Sequence, residues 1–168
     1  IWQGHLHPAW ASDRQIATAA ELLKERGLTV SSLAFYLAGD SAELRRVGDI
    51  AQALQVPVIG GGCRAEWLHE KRSEFLDFLK QNNLRFGFEN HPEKSAAEVL
   101  GKIGDAEGGL IGVTIDTGWF GSQSYTAAQA IRELGSRLIH VHLKDIFPPS
   151  HSGDDRDIRE GAPVTLKD

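Results

Sequence analysis

Five short apolar runs with strand character recur along the chain at a nearly constant interval. They begin at Leu28 (LTVSSLAFY), Val56 (VPVIG), Leu84 (LRFGFEN), Leu110 (LIGVTID) and Arg137 (RLIHVHLKD), spaced 28, 28, 26 and 27 residues apart. Between them the apolar period changes from two to three or four, the mark of amphipathic helices. Ser12 with Gln15 forms a capping-box pattern ahead of Ile16, Ala19, Ala20 and Leu23, and Gly27 supplies a stop. Asp40 and Glu43 open a second helix with Leu44, Val47, Ala51 and Leu54 on one face. A third is expected over 66–81, burying Leu68, Phe75 and Leu79 and leaving through Asn82 and Asn83. Ser95-x-x-Glu98 starts a fourth with Val99 and Ile103, and Thr126-x-x-Gln129 a fifth with Ala130, Ile131 and Leu134.

Strand and helix in alternation mean βαβ units and a parallel sheet. The regular period, with no Gly-rich dinucleotide fingerprint, favours an α/β fold of the (β/α)₈ barrel type over an open doubly wound sheet. Gly60-Gly61-Gly62 reads as a tight turn at a strand end where backbone approaches something closely, without a phosphate role. Eight units of about 27 residues need about 216 residues, more than the chain supplies. About five full βα units are present, with Ile1-Trp2 as the end of another strand. The expectation is therefore a single barrel domain over 1–168, incomplete, lacking the N-terminal strand region and the last strand. The absence of Met, with Ile at position 1, agrees with a fragment.

Strand side chains alternate between two faces. Phe86 and Phe88, then Ile111, Val113 and Ile115, then Ile139, Val141 and Leu143 form apolar faces suited to a helix layer. The opposite faces end, at the C-terminal tips of the strands, in Glu89, Asp116 and His142. That end of a barrel carries the active site. One unit separates each of these residues from the next, so they should converge. Two carboxylates and an imidazole make an oxygen-rich site for Mn²⁺, Mg²⁺, Co²⁺ or Zn²⁺. Other residues admit two readings. His140 is either a satisfied interior histidine or a site residue, and Lys144 either a surface partner of Asp145 or a cleft cation. His5 and His7 could reach the same mouth or belong to a loop, and His69 suits a helix surface. His151 lies in the polar segment SHSGDDRD, a lid or a disordered loop. Trp119, Phe120 and Trp10 could wall the apolar face of a ligand or simply pack.

The composition is that of an ordinary globular protein, with 41% hydrophobic and 24% charged residues. A net charge of -5 argues against a nucleic-acid partner, because phosphate contacts need a basic face. No run approaches a membrane span or a signal peptide. The single cysteine, Cys63, excludes a disulfide framework and suits a reducing, cytoplasmic setting.

FGFENHPEK, VTIDTGWF and HVHLKD, in this order and at these spacings, resemble the sugar phosphate isomerase/epimerase superfamily, the xylose isomerase-like TIM barrels. The resemblance runs from IWQGH to HLKD. It implies that Glu89 is both a metal ligand and an acid/base, and that Asp116 and His142 are metal ligands. It places His140, Lys144, Trp119 and His91 with the substrate. A fourth ligand, a glutamate on the last strand, has no counterpart. Many members carry a histidine where Trp119 stands, and REGAPV matches only part of their usual Gly-x-Gly segment. The implied function is a divalent-metal-dependent isomerase or epimerase of a small sugar or related hydroxy-carbonyl compound, working by proton transfer through a metal-held enediolate. Its partner would be a small carbohydrate, with no nucleic acid or membrane involved, and exposed apolar faces would suit a homo-oligomer. The alternatives are a metal-dependent phosphodiesterase like endonuclease IV, using two or three ions, and a truncated barrel without catalysis.

Overall fold

The computed structural model of the chain describes residues 1–144. Its elements run α1 (Asp13–Glu25), β1 (Tyr36–Leu37), α2 (Ser41–Ala53), β2 (Val58–Cys63), α3 (Ala65–Glu70), α4 (Arg72–Gln81), β3 (Arg85–Glu89), α5 (Ala96–Ile103), β4 (Ile111–Asp116), α6 (Thr117–Ser122), α7 (Ala127–Leu134) and β5 (Leu138–His142). The five strands form one sheet in chain order, and every neighbouring pair is parallel. Each parallel connection carries at least one helix, as a crossover between parallel strands requires. No described helix is long and apolar enough to cross a membrane.

The start signals act as their chemistry predicts. The Ser12 hydroxyl accepts from the Gln15 N–H, and the Gln15 side chain accepts in return from the Ser12 N–H. Asp40, Ser95 and Thr126 cap α2, α5 and α7 through their side-chain oxygens. Each such cap satisfies an orphan N–H and stabilises its helix by about 1 kcal/mol. The inward stripes then meet the sheet. Val47, Leu68, Phe75, Leu79, Val99, Ile103 and Ala130 are buried against Phe86, Phe88, Ile111, Val113 and Ile115. Phe75 and Phe86 meet edge to face, with ring centroids 5.1 Å apart. Burying one such side chain stabilises by roughly 1.5–3 kcal/mol.

Four local features differ from the sequence pattern. The helix expected over 66–81 is two helices, α3 and α4, bent at Lys71. The bend lets Trp67 pack edge-on against Phe75 at 5.1 Å. The first strand is a short ladder at Tyr36–Leu37 rather than a run from Leu28. Its approach still pairs with β2: the Leu33 N–H donates to the Val58 carbonyl and the Gly60 N–H to the Leu33 carbonyl. On its other side Ala34 bridges Trp2, so residues 1–3 are the stub of a further parallel strand. Gly60-Gly61-Gly62 lies inside β2 and makes no turn, although the expected close approach is real. A Cβ on Gly61 would stand 2.0 Å from the Phe35 carbonyl oxygen. Finally, α6 follows β4 directly, which the apolar pattern did not show.

On β3 and β4 the faces sort as parity predicts, whereas Leu143, expected against the helix layer, lies just past β5 and is exposed. On the concave face Gly87 leaves room for the Thr114 hydroxyl, and Gly60 lies against Thr114 and the His140 ring. The Ser32 hydroxyl shares a 2.9 Å hydrogen bond with His140 Nε2. His140 is thus held in the interior layer beneath the strand tips.

Candidate metal centre

Glu89, Asp116 and His142 stand at the last positions of β3, β4 and β5. Asp116 pairs directly with His142 across the sheet, whereas Glu89 is level with Thr114. This stagger brings Glu89 toward β5: its Oε1 lies 2.7 Å from His142 Nδ1. His91, two residues past β3, reaches Asp116 Oδ2 with its Nε2 at 3.2 Å. Single donor atoms of Glu89, His91 and Asp116 all lie within 4.8 Å of one another. The sequence pattern singled out the two carboxylates and His142, and the geometry adds His91 to the same point.

Asp116 is fully buried, yet every part of it is occupied. Its Oδ1 accepts from the Trp119 N–H at 3.0 Å, which makes it the N-cap of α6. Its Oδ2 takes His91 and the Lys144 ammonium. Its backbone is clamped by Asn90: the Asp116 N–H donates to Asn90 Oδ1 at 2.6 Å, and Asn90 Nδ2 donates to the Asp116 carbonyl at 3.3 Å. Burial opposes ionisation here, but the hydrogen bonds from His91, Lys144 and Trp119 outweigh it and hold the carboxyl well below the usual carboxylate range. Reciprocally, the hydrogen bond to Asp116 raises the His91 imidazole above its ordinary value against the effect of burial. Burial, and then the neighbouring His142, lowers His140.

A cleft of about 700 Å³ opens over this group, walled by Trp2, Tyr36, Cys63, Glu89, His91 and Lys144 among others. Burial pushes the Cys63 thiol up to about 12, slightly offset by Lys102. The remaining residues singled out in the sequence take varied places. Lys144 pairs with Asp116 within the described residues, and Asp145 lies outside them, as do His151 and the REGAPV segment. Trp119 packs against the core, tilts against His91 at 4.9 Å, and donates its Nε1–H to the Glu93 carbonyl. Phe120 is fully buried, so it packs in the core and walls nothing. Trp10 is exposed and stacks on His7 with centroids 3.5 Å apart. His5 accepts from the Trp2 N–H at 3.4 Å, and His69 is exposed on α3, as its position suggested.

Three contributors escaped sequence reading. Asn90 is fully buried. Thr117 ties its hydroxyl to the Lys144 backbone on both sides, accepting from its N–H and donating to its carbonyl, each at 2.8 Å. Glu93, also buried, pairs with Lys102 just behind the cleft wall. A polar side chain directly after a strand tip, as in Glu89-Asn90 and Asp116-Thr117, is the signal that could have found the first two.

Solved structures share this arrangement of the chain. The probable 3-DHS dehydratase AsbF of Bacillus anthracis superposes with a TM-score of 0.66 at 16% identity, over 86% of this chain and 61% of that one. A D-tagatose 3-epimerase-like protein gives 0.63 at 18% identity, over 80% and 63%. The D-allulose 3-epimerase of Methylomonas sp., in complex with D-allulose, gives 0.63 at 18% identity, over 83% and 59%. The chain thus spans about three fifths of the length of each of these structures. No curated protein is similar enough in sequence to match. The family model of the xylose isomerase-like TIM barrel matches residues 1–166, and the chain belongs to that family.

Proposed function

We propose that this chain acts on a small sugar or related hydroxy-carbonyl compound as a divalent-metal-dependent isomerase or epimerase. The observation that carries this reading is the meeting of Glu89, His91 and Asp116 within 4.8 Å, beside His142, below an open cleft. The donor set fits a hard or borderline divalent ion. It offers two carboxylates and two imidazoles, and the nearby Cys63 thiol stays protonated. Ligand atoms bound at about 2.0–2.2 Å stand at most about 4.4 Å apart, so Glu89, His91 and Asp116 need little closing to share an ion, and His142 stands beside them on Glu89. Glu89, Asp116 and His142 would hold it, with His91 facing the same point. Bound there, a divalent ion polarises a substrate carbonyl and acidifies the adjoining C–H.

The chain's own residues supply the rest. We assign proton transfer to Glu89, whose carboxylate is partly open to the cleft and held in orientation by His142. A carboxylate that removes a proton and returns it to the neighbouring carbon yields an isomer; return to the opposite face, by a partner group, yields an epimer. His91 and Lys144 present N–H groups to the same cleft and suit substrate oxygens. His140, bonded to Ser32 one layer down, supports the floor. The D-tagatose 3-epimerase-like protein and the D-allulose 3-epimerase in complex with D-allulose favour a carbohydrate as the substrate class.

The test is a panel of sugars and keto acids incubated with Mn²⁺ in D₂O and followed by NMR. Deuterium entering the carbon next to the carbonyl, together with isomer or epimer formation, supports the reading. Turnover of a panel compound that yields neither an isomer nor an epimer overturns it.

A further inference from the structure

We propose that Lys144 is a displaceable internal cation, seated on Asp116 when no ion is bound and giving way when one binds. The inference rests on the metal reading above and concerns how that site is kept. A fully buried carboxylate without a counter-charge is costly, and Asp116 is fully buried. Its Oδ1 accepts from the Trp119 N–H as the cap of α6, and it is Oδ2 that faces His91 and the cations of the cleft. Oδ2 already holds the Lys144 ammonium. The same carboxylate belongs to the cluster that faces the cleft with Glu89 and His91. An ammonium and a divalent ion cannot share this oxygen, because like charges a few ångströms apart repel strongly at low dielectric.

Two features make the lysine suited to leaving. Its side chain is 52% exposed, so withdrawal into solvent costs little desolvation. Its backbone is pinned on both sides by the Thr117 hydroxyl, so the side chain can swing while the main chain stays. Released, the ammonium remains on the cleft wall, where a negatively charged substrate oxygen could meet it. The lysine thus stabilises the empty site, weakens ion binding by competition, and becomes available for substrate only after loading.

The test is calorimetric titration of the full chain with Mn²⁺ alone, together with thermal unfolding with and without the ion, for wild type, Lys144→Met and Lys144→Arg. Removing a charged hydrogen bond from a half-exposed pair predicts roughly tenfold tighter Mn²⁺ binding by Lys144→Met. The ion-free variant should melt lower than wild type, so its Mn²⁺-induced rise in Tm should be larger. Lys144→Arg keeps a cation and should bind Mn²⁺ no more tightly than wild type. Equal or weaker binding by Lys144→Met overturns the proposal and leaves the metal reading intact. If wild type and both variants take up no Mn²⁺, the metal reading fails, and this inference with it.

Discussion

Glu89 Oε1 and His142 Nδ1 lie 2.7 Å apart although 53 residues separate them in the chain. The contact joins the tips of β3 and β5, the two strands that flank β4 and Asp116. A group so placed has its direction fixed before substrate arrives. Glu89→Gln keeps the size and one hydrogen bond but removes both the charge and the base. On whichever sugar the panel identifies, deuterium exchange should fall by about 10²–10⁴-fold. Exchange at the wild-type rate would reject Glu89 as the acid/base.

Asp116→Asn should destabilise the ion-free chain, because Lys144 and His91 lose their shared acceptor. Both partners are partly exposed, so the expected loss at neutral pH is about 1–3 kcal/mol rather than that of a sealed pair. The Asp116 carboxyl titrates lower when folded than its ordinary 3.8. Its contribution is therefore fully present above about pH 4 and fades as the pH falls toward the folded value. Urea unfolding of both proteins across that range checks this: a gap that does not narrow in acid excludes ionised Asp116 as its source.

His91 and His140 should titrate on opposite sides of 6.5. The bond to Asp116 raises His91, and burial lowers His140. For His91 the associated stability is present below 6.5 and lost as the pH rises through its raised folded value. Proton NMR of the ion-free chain should give two separated midpoints, and Asp116→Asn should bring the His91 midpoint down. Coincident midpoints in wild type would contradict the arrangement of hydrogen bonds described above.

Gly61→Ala and Gly101→Ala should behave oppositely. A Cβ at Gly61 meets the Phe35 carbonyl at 2.0 Å, and the obstacle is backbone that cannot turn aside. The expected cost is about 1–3 kcal/mol, read as a lower Tm. A Cβ at Gly101 meets nothing within 4 Å and sits within α5, where alanine is about 1 kcal/mol better than glycine. Thermal unfolding of the pair tests whether β2 needs glycine for contact or merely tolerates it.

The Cys63 thiol should be inert at pH 8 in the folded chain, since burial holds it near 12. A chromogenic disulfide should react at the rate set by unfolding, and react at once in strong denaturant. Fast labelling of the native chain would show the thiol to be more open than its 4% exposure indicates.

The apolar period was enough to find the units, because each helix and strand must bury one face and its spacing is written locally. Strand parity likewise put Glu89, Asp116 and His142 at one end of the sheet, since alternation leaves only two choices. What escaped the pattern depends on stagger and on side-chain reach. Glu89 is level with Thr114 and not with Asp116, so its contact with His142 follows from register rather than from equal spacing. His91 lies beyond its strand, where alternation no longer applies. Lys144 meets Asp116, 28 residues away, a contact that neighbourhood in the sequence does not reveal. The break at Lys71 has no breaker residue, so only the packing of Trp67 on Phe75 reveals it.

The order of the strands in space is their order in the chain, so every ladder joins segments one unit apart. The Ser32–His140 bond is different: its ends are 108 residues apart, and it spans the concave face from the β1 segment to β5. It ties the two ends of the described sheet together across the face that carries the cleft. A probe on either residue would therefore report the curvature of the whole described sheet, which no contact between neighbouring strands can do.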